Sequence, residues 1–283
     1  MRVNTELSLA IALEELRKRE AERRFQGYFD TASGKQIGFH QSQKFGRVIL
    51  GANRSGKSEA GAVEAVMWAH YSTEKQTPRA TPLGRLIPKG PVYLRAVCPE
   101  LPSTLDKPHV QRDKMRLITP PHWLRGGNFF SAYSVMGHTL HFANGSLLEF
   151  MSSEQTTDKH SGQSISACWF DEEMPKQIFN ENLARLDQTG SAWWFTYTPV
   201  MGLRWVYDEI YVPALRGNKD LFMVQVDIED NRRNLGKDFI EKLEGSLSDD
   251  EQSLRLRGRY SVNTGLVYDI FGEDNLISVE VVH

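Results

Sequence analysis

Lys57 and Ser58, with glycines at positions 51 and 56 before them, have residue types and a spacing that imply chemistry. The octet Gly51-Ala52-Asn53-Arg54-Ser55-Gly56-Lys57-Ser58 has the form GxxxxGK[ST]. It lies between the apolar run Val48-Ile49-Leu50 and a segment of helical composition. Glycines at both ends let the backbone turn tightly and aim its N–H groups inward, which suits a polyphosphate. In such a cradle Lys57 reaches the β- and γ-phosphates of a nucleotide, and the Ser58 hydroxyl ligates Mg²⁺. The partial positive charge at the start of the following helix adds to the anion field. Glycine and lysine also occur together in ordinary surface turns, but the strand before and the helix after argue for a phosphate-binding loop.

A second set of chemical groups lies at Ala167-Cys168-Trp169-Phe170-Asp171-Glu172-Glu173, an apolar strand that ends in acids. At the C-terminal edge of a parallel sheet such acids face the crevice where ligands bind. Asp171 is placed to hold Mg²⁺ through a water, and Glu172 to orient or deprotonate the water that attacks the γ-phosphate. Acids also favour helix N-termini, so Glu173 reads as a helix-start acid or as a reserve carboxylate. Thr196-Tyr197-Thr198-Pro199 ends the next strand, where small hydroxyls can sense the γ-phosphate.

These motifs need a sheet to hold them. Strands are expected at Arg47–Leu50, Val92–Val97, Ile165–Phe170, Ala192–Thr196 and Leu221–Asp227. Helices are expected at Glu59–His70, His109–Leu117 and Pro175–Leu186. Strands alternating with helices indicate an α/β fold with a mostly parallel sheet. The segment Thr139–Phe150, with Asn144-Gly145 at its centre, reads as a β-hairpin decoration whose turn takes two positive-φ residues. An N-terminal helix from Glu6 to Phe25 carries Leu9, Leu13 and Leu16 on one face, and the mixed charges Arg17–Arg24 form a solvated face. Two charged helices, Lys237–Leu247 and Asp249–Arg257, form a small C-terminal lid. The expected organisation is an N-terminal helix over 1–30, a core over 31–230, a lid over 231–264 and a linker over 265–283.

The 283 residues are 40% hydrophobic and 25% charged, enough for a sizeable core, and the net charge is −2. A chain held to nucleic acid by bulk charge would be basic, so any such contact must be local. The loop Thr77–Pro91, with Arg79, Arg85 and Lys89, is the candidate surface. Cys98 and Cys168 fall in apolar runs and read as buried, reduced thiols without a disulfide framework. No apolar stretch is long enough to span a bilayer, and no signal peptide is recognisable. His138 and His141 lack a third ligand nearby, and Trp193 and Trp194 read as core rather than as base-stacking platforms.

Taken together, Gly51–Ser58 with Glu59-Ala60-Gly61-Ala62, Thr139–Ser152, Trp169–Pro175, Thr196–Pro199 and Asn231–Tyr260 resemble the large terminase subunit of tailed bacteriophages. The resemblance covers most of the chain from about Phe25 onward. It implies a P-loop NTPase core of the ASCE type with a helical lid, using ATP and Mg²⁺ to move double-stranded viral DNA into a preformed capsid. Portal protein and a small terminase subunit are the implied partners. The subunit is expected to form a homo-oligomeric ring on the capsid, to be a monomer in isolation, and to reside in the host cytoplasm away from membranes. Gly51, Ala52, Asn53, Ser55, Gly56, Lys57, Ser58 and Thr198 are the implied nucleotide contacts, with Mg²⁺ at Ser58 and Asp171. Glu172, Lys57 and Arg54 are the implied catalytic groups. Gln41 is the nearest candidate for reading adenine, with Gln43 second.

Two departures from the family pattern stand out. Where many relatives carry an arginine finger, this chain reads Asp158-Lys159-His160-Ser161-Gly162, leaving Lys159 and Arg185 as alternatives. Gly265–Phe271 resembles the entry to a nuclease domain, but no acid constellation sufficient for DNA cleavage follows, so nuclease activity is not expected here. A helicase-like P-loop motor and a nucleotide-switched assembly module with negligible hydrolysis are the competing functional classes.

Overall fold

The computed structural model describes residues 2–73, 80–101, 108–187, 190–236, 238–245, 247, 256–258 and 260. Among these residues eight strands form one sheet: β1 Gly46–Gly51, β2 Tyr93–Cys98, β3 Tyr133–Ser134, β4 Thr139–His141, β5 Leu147–Ser152, β6 Ala167–Asp171, β7 Ala192–Tyr197 and β8 Leu221–Val226. The α-helices are α1 Arg2–Thr31, α2 Gly34–Gln41, α3 Lys57–Tyr71, α4 Val110–Ile118, α5 Phe129–Ala132, α6 Thr157–His160, α7 Lys176–Ala184, α8 Arg204–Val206, α9 Val212–Leu215 and α10 Phe239–Glu244.

The strand order is β3-β4-β5-β2-β6-β7-β1-β8. The run from β5 to β8 is parallel, whereas β3 with β4 and β4 with β5 pair antiparallel. Strand β7 is interposed between the loop strand β1 and the acid strand β6, the ASCE arrangement. Because both faces of the sheet are covered, its strands read as continuous apolar runs. Ile49, Ala96, Trp169 and Trp194 pack toward α3 on one face, while Val48, Leu50, Phe170, Trp193 and Phe195 pack toward α7 on the other. Both tryptophans of the β7 run are therefore core. Gly61 of α3 lets helix and sheet approach closely: a Cβ there would lie 2.5 Å from Trp169 Nε1, and Trp194 Nε1 donates to the Gly61 carbonyl at 3.2 Å.

The hairpin is not a decoration. Its second strand, β5, is an integral parallel neighbour of β2. Its turn also differs from expectation, because only Gly145 has positive φ (91°). Asn144 instead donates its side-chain amide to the carbonyls of Ala69, His70 and Ser72, tying the turn to the end of α3.

Helix α1 packs through its C-terminal part, where Phe25 and Tyr28 are buried. Leu13 and Leu16, expected to mark a packing face, are 48% and 60% exposed. The adjacent charges pair along the helix as Glu15–Arg19 and Glu20–Arg24. Arg85, part of the expected nucleic-acid loop, is 4% exposed, and its guanidinium donates to the carbonyls of Ser42 and Lys44. It is thus a structural staple and not a free surface cation. The expected second lid helix, Asp249–Arg257, falls mostly outside the described residues, as do the linker 265–283 and Arg79.

Buried beneath α1 and α2 is a charged cluster with no counterpart in the sequence expectations. The Glu64 carboxylate of α3 accepts from Arg47 Nη1 of β1 and from Trp68 Nε1 (2.8 Å), and it faces His40 Nδ1 of α2. His40 Nε2 in turn meets the Tyr28 hydroxyl of α1 at 2.9 Å. Glu64, Arg47 and His40 are all fully buried.

Candidate active site

The loop after β1 turns through Arg54 (φ 61°) and Gly56 (φ 83°) before α3 begins at Lys57. Glycine adopts that geometry freely at 56; an arginine in the left-handed region is held there at an energetic cost. Glu172 (φ 69°) is a second non-glycine residue in this region. Residues that the sequence marks as chemical therefore occupy strained backbone positions on both sides of the site.

Loop and acids meet directly. Lys57 Nζ lies 3.2 Å from Glu172 Oε1, and the Thr198 N–H donates to Glu172 Oε2 at 3.0 Å. The Thr198 hydroxyl donates to Asn53 Oδ1 at 3.4 Å, closing a ring from loop to acid turn to the end of β7. Burial pushes the Glu172 carboxyl above the usual carboxylate range; Lys57 opposes this, and the neighbouring Asp171 charge adds to it.

Asp171 is buried and held by neutral donors. Thr196 Oγ1 donates to its Oδ1 and Gln111 Nε2 to its Oδ2. Trp169 Nε1 fixes the Thr196 hydroxyl at 2.7 Å. A cleft of about 510 Å³ opens beside these groups, lined by Ser58, Gln111, Asp171 and Glu172 together with His109 and Glu100. A hydroxyl and a carboxylate on one cleft wall form an oxygen donor set that fits a hard divalent cation.

Glu173 is not a helix-start acid. Helix α7 begins three residues later, at Lys176, behind Pro175. The Glu173 carboxylate instead accepts the backbone N–H groups of Met201 (2.7 Å), Gly202 (3.1 Å) and Leu203 (3.1 Å), fixing the loop that follows Thr198.

Arg54 is turned toward α10. Its guanidinium sits 4.8 Å over the Phe239 ring of α10, and its carbonyl accepts from Asn231 Nδ2 at 2.7 Å. The chain also returns to the loop at Gly258 (φ 59°), where a Cβ would meet Ala52 N and Gly51 C at 2.6 Å. Ala52, Ile228, Ile240 and Leu256 form a small cluster beneath this contact.

The glutamine candidates are displaced by geometry. Gln41 is exposed at the end of α2, and Gln43 is engaged with Gly84 and Leu86. Gln36 is the residue against the loop, with Nε2 donating to the Gly56 carbonyl at 3.3 Å. Five residues along a helix turn a side chain to another face, so Gln36 and Gln41 cannot both point at the loop. The signal for Gln36 was present as Ser33-x-x-Gln36, a capping box that is formed in the structure. A cavity of about 440 Å³ lies between Thr31–Gly34 and the 3₁₀ turn Glu229–Asn234. Of the two basic candidates, Lys159 is exposed on α6. Arg185 pairs with Glu181 at 2.8 Å, and its carbonyl accepts from Ile165 ahead of β6, at the sheet edge opposite Asp171. Among the described residues no group of three or more His, Cys, Asp or Glu side chains is arranged to hold a metal. No described helix is long and apolar enough to cross a membrane. Both cysteines are free and buried, and burial pushes both thiols up.

Residues 113–273 match the family described as "Terminase large subunit, T4likevirus-type, N-terminal". The chain is similar to the large terminase subunit of Salmonella phage P22, at 27% identity over 125 residues, which is 44% of this chain and 24% of that protein. Among solved structures it is similar to the large terminase of the thermophilic bacteriophage D6E in complex with ADP. There the TM-score is 0.59 and the identity 20%, covering 86% of this chain and 57% of that one. It is also similar to the large terminase ATPase domain of Thermus phage P74-26, with TM-score 0.52, 16% identity, and 80% and 92% coverage. At these identities the structural likeness is one of fold. The chain spans just over half the length of the D6E protein, and its alignment a quarter of the P22 protein.

Proposed function

We propose that this chain, which belongs to the T4likevirus-type family of phage large terminase subunits, is an ATP-hydrolysing motor that moves double-stranded DNA into a preformed capsid. The observation that carries this reading is the contact between the phosphate loop and the acid turn, Lys57 Nζ to Glu172 Oε1, with Thr198 bonded to both sides.

In this reading the triphosphate is cradled by the N–H groups of residues 51–58, and Lys57 exchanges Glu172 for phosphate oxygens. Glu172 then orients the attacking water and accepts its proton, a role suited to a carboxyl whose affinity for protons is raised. Ser58 and Asp171 would hold Mg²⁺, which when bound neutralises charge on the β- and γ-phosphate oxygens. Gln36 and Asn231 shape the loop from the side of the 440 Å³ cavity, which has room for the base. Arg54 exchanges the Phe239 ring for the γ-phosphate. Lys159, exposed and, unlike Arg185, in no ion pair among the described residues, is the basic group available to a neighbouring subunit in a ring. Thr198, bonded to both loop and acid, couples hydrolysis to movement. Portal protein and a small terminase subunit are the proposed partners.

The test is phosphate release with and without double-stranded DNA. The parental chain is expected to turn over ATP in Mg²⁺, and Lys57→Ala to abolish turnover while its far-UV circular dichroism is unchanged. Turnover by Lys57→Ala at the parental rate would overturn the site assignment. Nucleotide binding without turnover, with or without DNA, would support the switch-module class instead.

A further inference from the structure

We infer that Gln111 is a positioning residue for Asp171, and that it sets the affinity of the cleft for a divalent cation. The inference rests on the nucleotide-hydrolysis reading above and adds to it a residue from an element that carries none of the nucleotide motifs.

Asp171 is 2% exposed and makes no ion pair among the described residues. A buried carboxylate ordinarily has a cation beside it or ligates a metal. Here its side-chain partners among the described residues are two neutral donors, Thr196 at Oδ1 and Gln111 at Oδ2. Together they fix the orientation of the carboxylate without placing a positive charge beside it, the arrangement of a metal ligand held from behind.

Gln111 is itself firmly held. It is 5% exposed and lies in the first turn of α4. The cap of that helix is bonded on several sides. His109 Nδ1 accepts from the Arg112 N–H at 3.0 Å, the His109 N–H donates to Asp113 Oδ2 at 3.1 Å, and His109 Nε2 meets the Glu100 carbonyl at 2.9 Å. The amide is thereby fixed between α4 and the end of β6, while the side chain lines the same cleft as Ser58 and Glu172. Residues that orient a metal ligand from behind typically change metal affinity about 10- to 100-fold when removed.

The experiment is a Mn²⁺ titration of the full chain in the presence of ADP, read by electron paramagnetic resonance. Binding of a fluorescent ADP analogue in EDTA and the thermal midpoint are measured in parallel. Gln111→Leu and Gln111→Met keep side-chain bulk but remove the donor. Both are expected to weaken Mn²⁺ binding about 10- to 100-fold, with metal-free ADP binding unchanged and the thermal midpoint lowered by no more than the loss of one hydrogen bond to a buried carboxylate. Raised Mg²⁺ should restore turnover, which a merely structural lesion would not allow. Parental Mn²⁺ affinity in the variants would overturn the inference alone. So would loss of metal-free ADP binding together with a lowered midpoint, or failure of both variants to fold. A parental chain that binds no Mn²⁺ with ADP would instead overturn the nucleotide reading itself.

Discussion

Glu64 and Glu172 each face a basic side chain, and burial penalises the ionised form of both, yet their acidities move in opposite directions. Burial alone would raise the Glu64 carboxyl; Arg47 and His40 outweigh it and hold the group down at about 2. At Glu172 burial prevails, opposed by Lys57 and reinforced by Asp171, and the carboxyl is raised. The difference lies in how completely each charge is answered. Glu64 has Arg47, Trp68 and His40 around its two oxygens and no like charge among the shifts acting on it. Glu172 has Lys57 and one backbone N–H, with an acid next to it in the chain. A saturated carboxylate is fixed in one state and serves to lock α1, α2, β1 and α3 together. An under-satisfied one retains the ability to exchange partners, which a substrate can exploit.

The largest expected effect separates the two by activity. Glu172→Gln should lower ATP turnover by about 10²- to 10⁴-fold, the usual range for a positioned acid–base group, without lowering the urea midpoint. If turnover is retained, the contrast between the two glutamates has no functional meaning. Next, Glu64→Ala should cost about 3–5 kcal/mol in urea denaturation, because it strands a buried guanidinium. A loss within ordinary surface-mutation range would show the network to be incidental.

The pH dependence sharpens the contrast by sign. The folded-state acidity of Glu64 is below its unfolded value. Its stabilisation, about 3 kcal/mol by linkage, is therefore present above roughly pH 4.5 and lost as pH falls toward about 2. The raised carboxyl of Glu172 acts oppositely: the fold is favoured at low pH, and this advantage disappears as pH rises through its elevated value. Glu64→Gln should flatten the acid limb of a thermal-midpoint profile, whereas Glu172→Gln should flatten the limb above it. Profiles unchanged by both substitutions would refute the opposed shifts. The smallest effect is Trp68→Phe, which removes one donor from Glu64 and should cost about 1 kcal/mol in the same denaturation assay.

Much of this contrast was invisible beforehand. The five parallel strands outside the hairpin were legible to within one or two residues, because strands buried on both faces are written as apolar runs between turn residues. The loop and acid motifs were legible because their residue types are scarce and their order is constrained. Glu64 was not: one glutamate in an Ala- and Val-rich helix reads as an exposed position until α1 and α2 are seen to cover it. Arg47 and Arg85 were similarly opaque, since a buried guanidinium needs carbonyl or carboxylate partners contributed by distant segments. Helix α2 and strand β3 were not anticipated. The first spans eight residues whose main local signal is the Ser33/Gln36 capping box, and the second is too short to show a period. Gln36 and Gln41 show the same limit at finer scale, because the choice between them depends on which face α2 turns toward the loop.

What the chain's own residues dictated was the inventory of chemistry: a glycine-framed cradle with Lys57 and Ser58, an apolar strand delivering Asp171 and Glu172, and hydroxyls at the end of the following strand. These follow from local rules, since turn geometry, strand burial and carboxylate placement are each set within a few residues. The tertiary structure alone decided who answers each charge. Partners such as Gln111 for Asp171, Met201–Leu203 for Glu173 and Phe239 for Arg54 lie on other elements, and hydrogen bonds and desolvation act over a few ångströms of space regardless of separation along the chain.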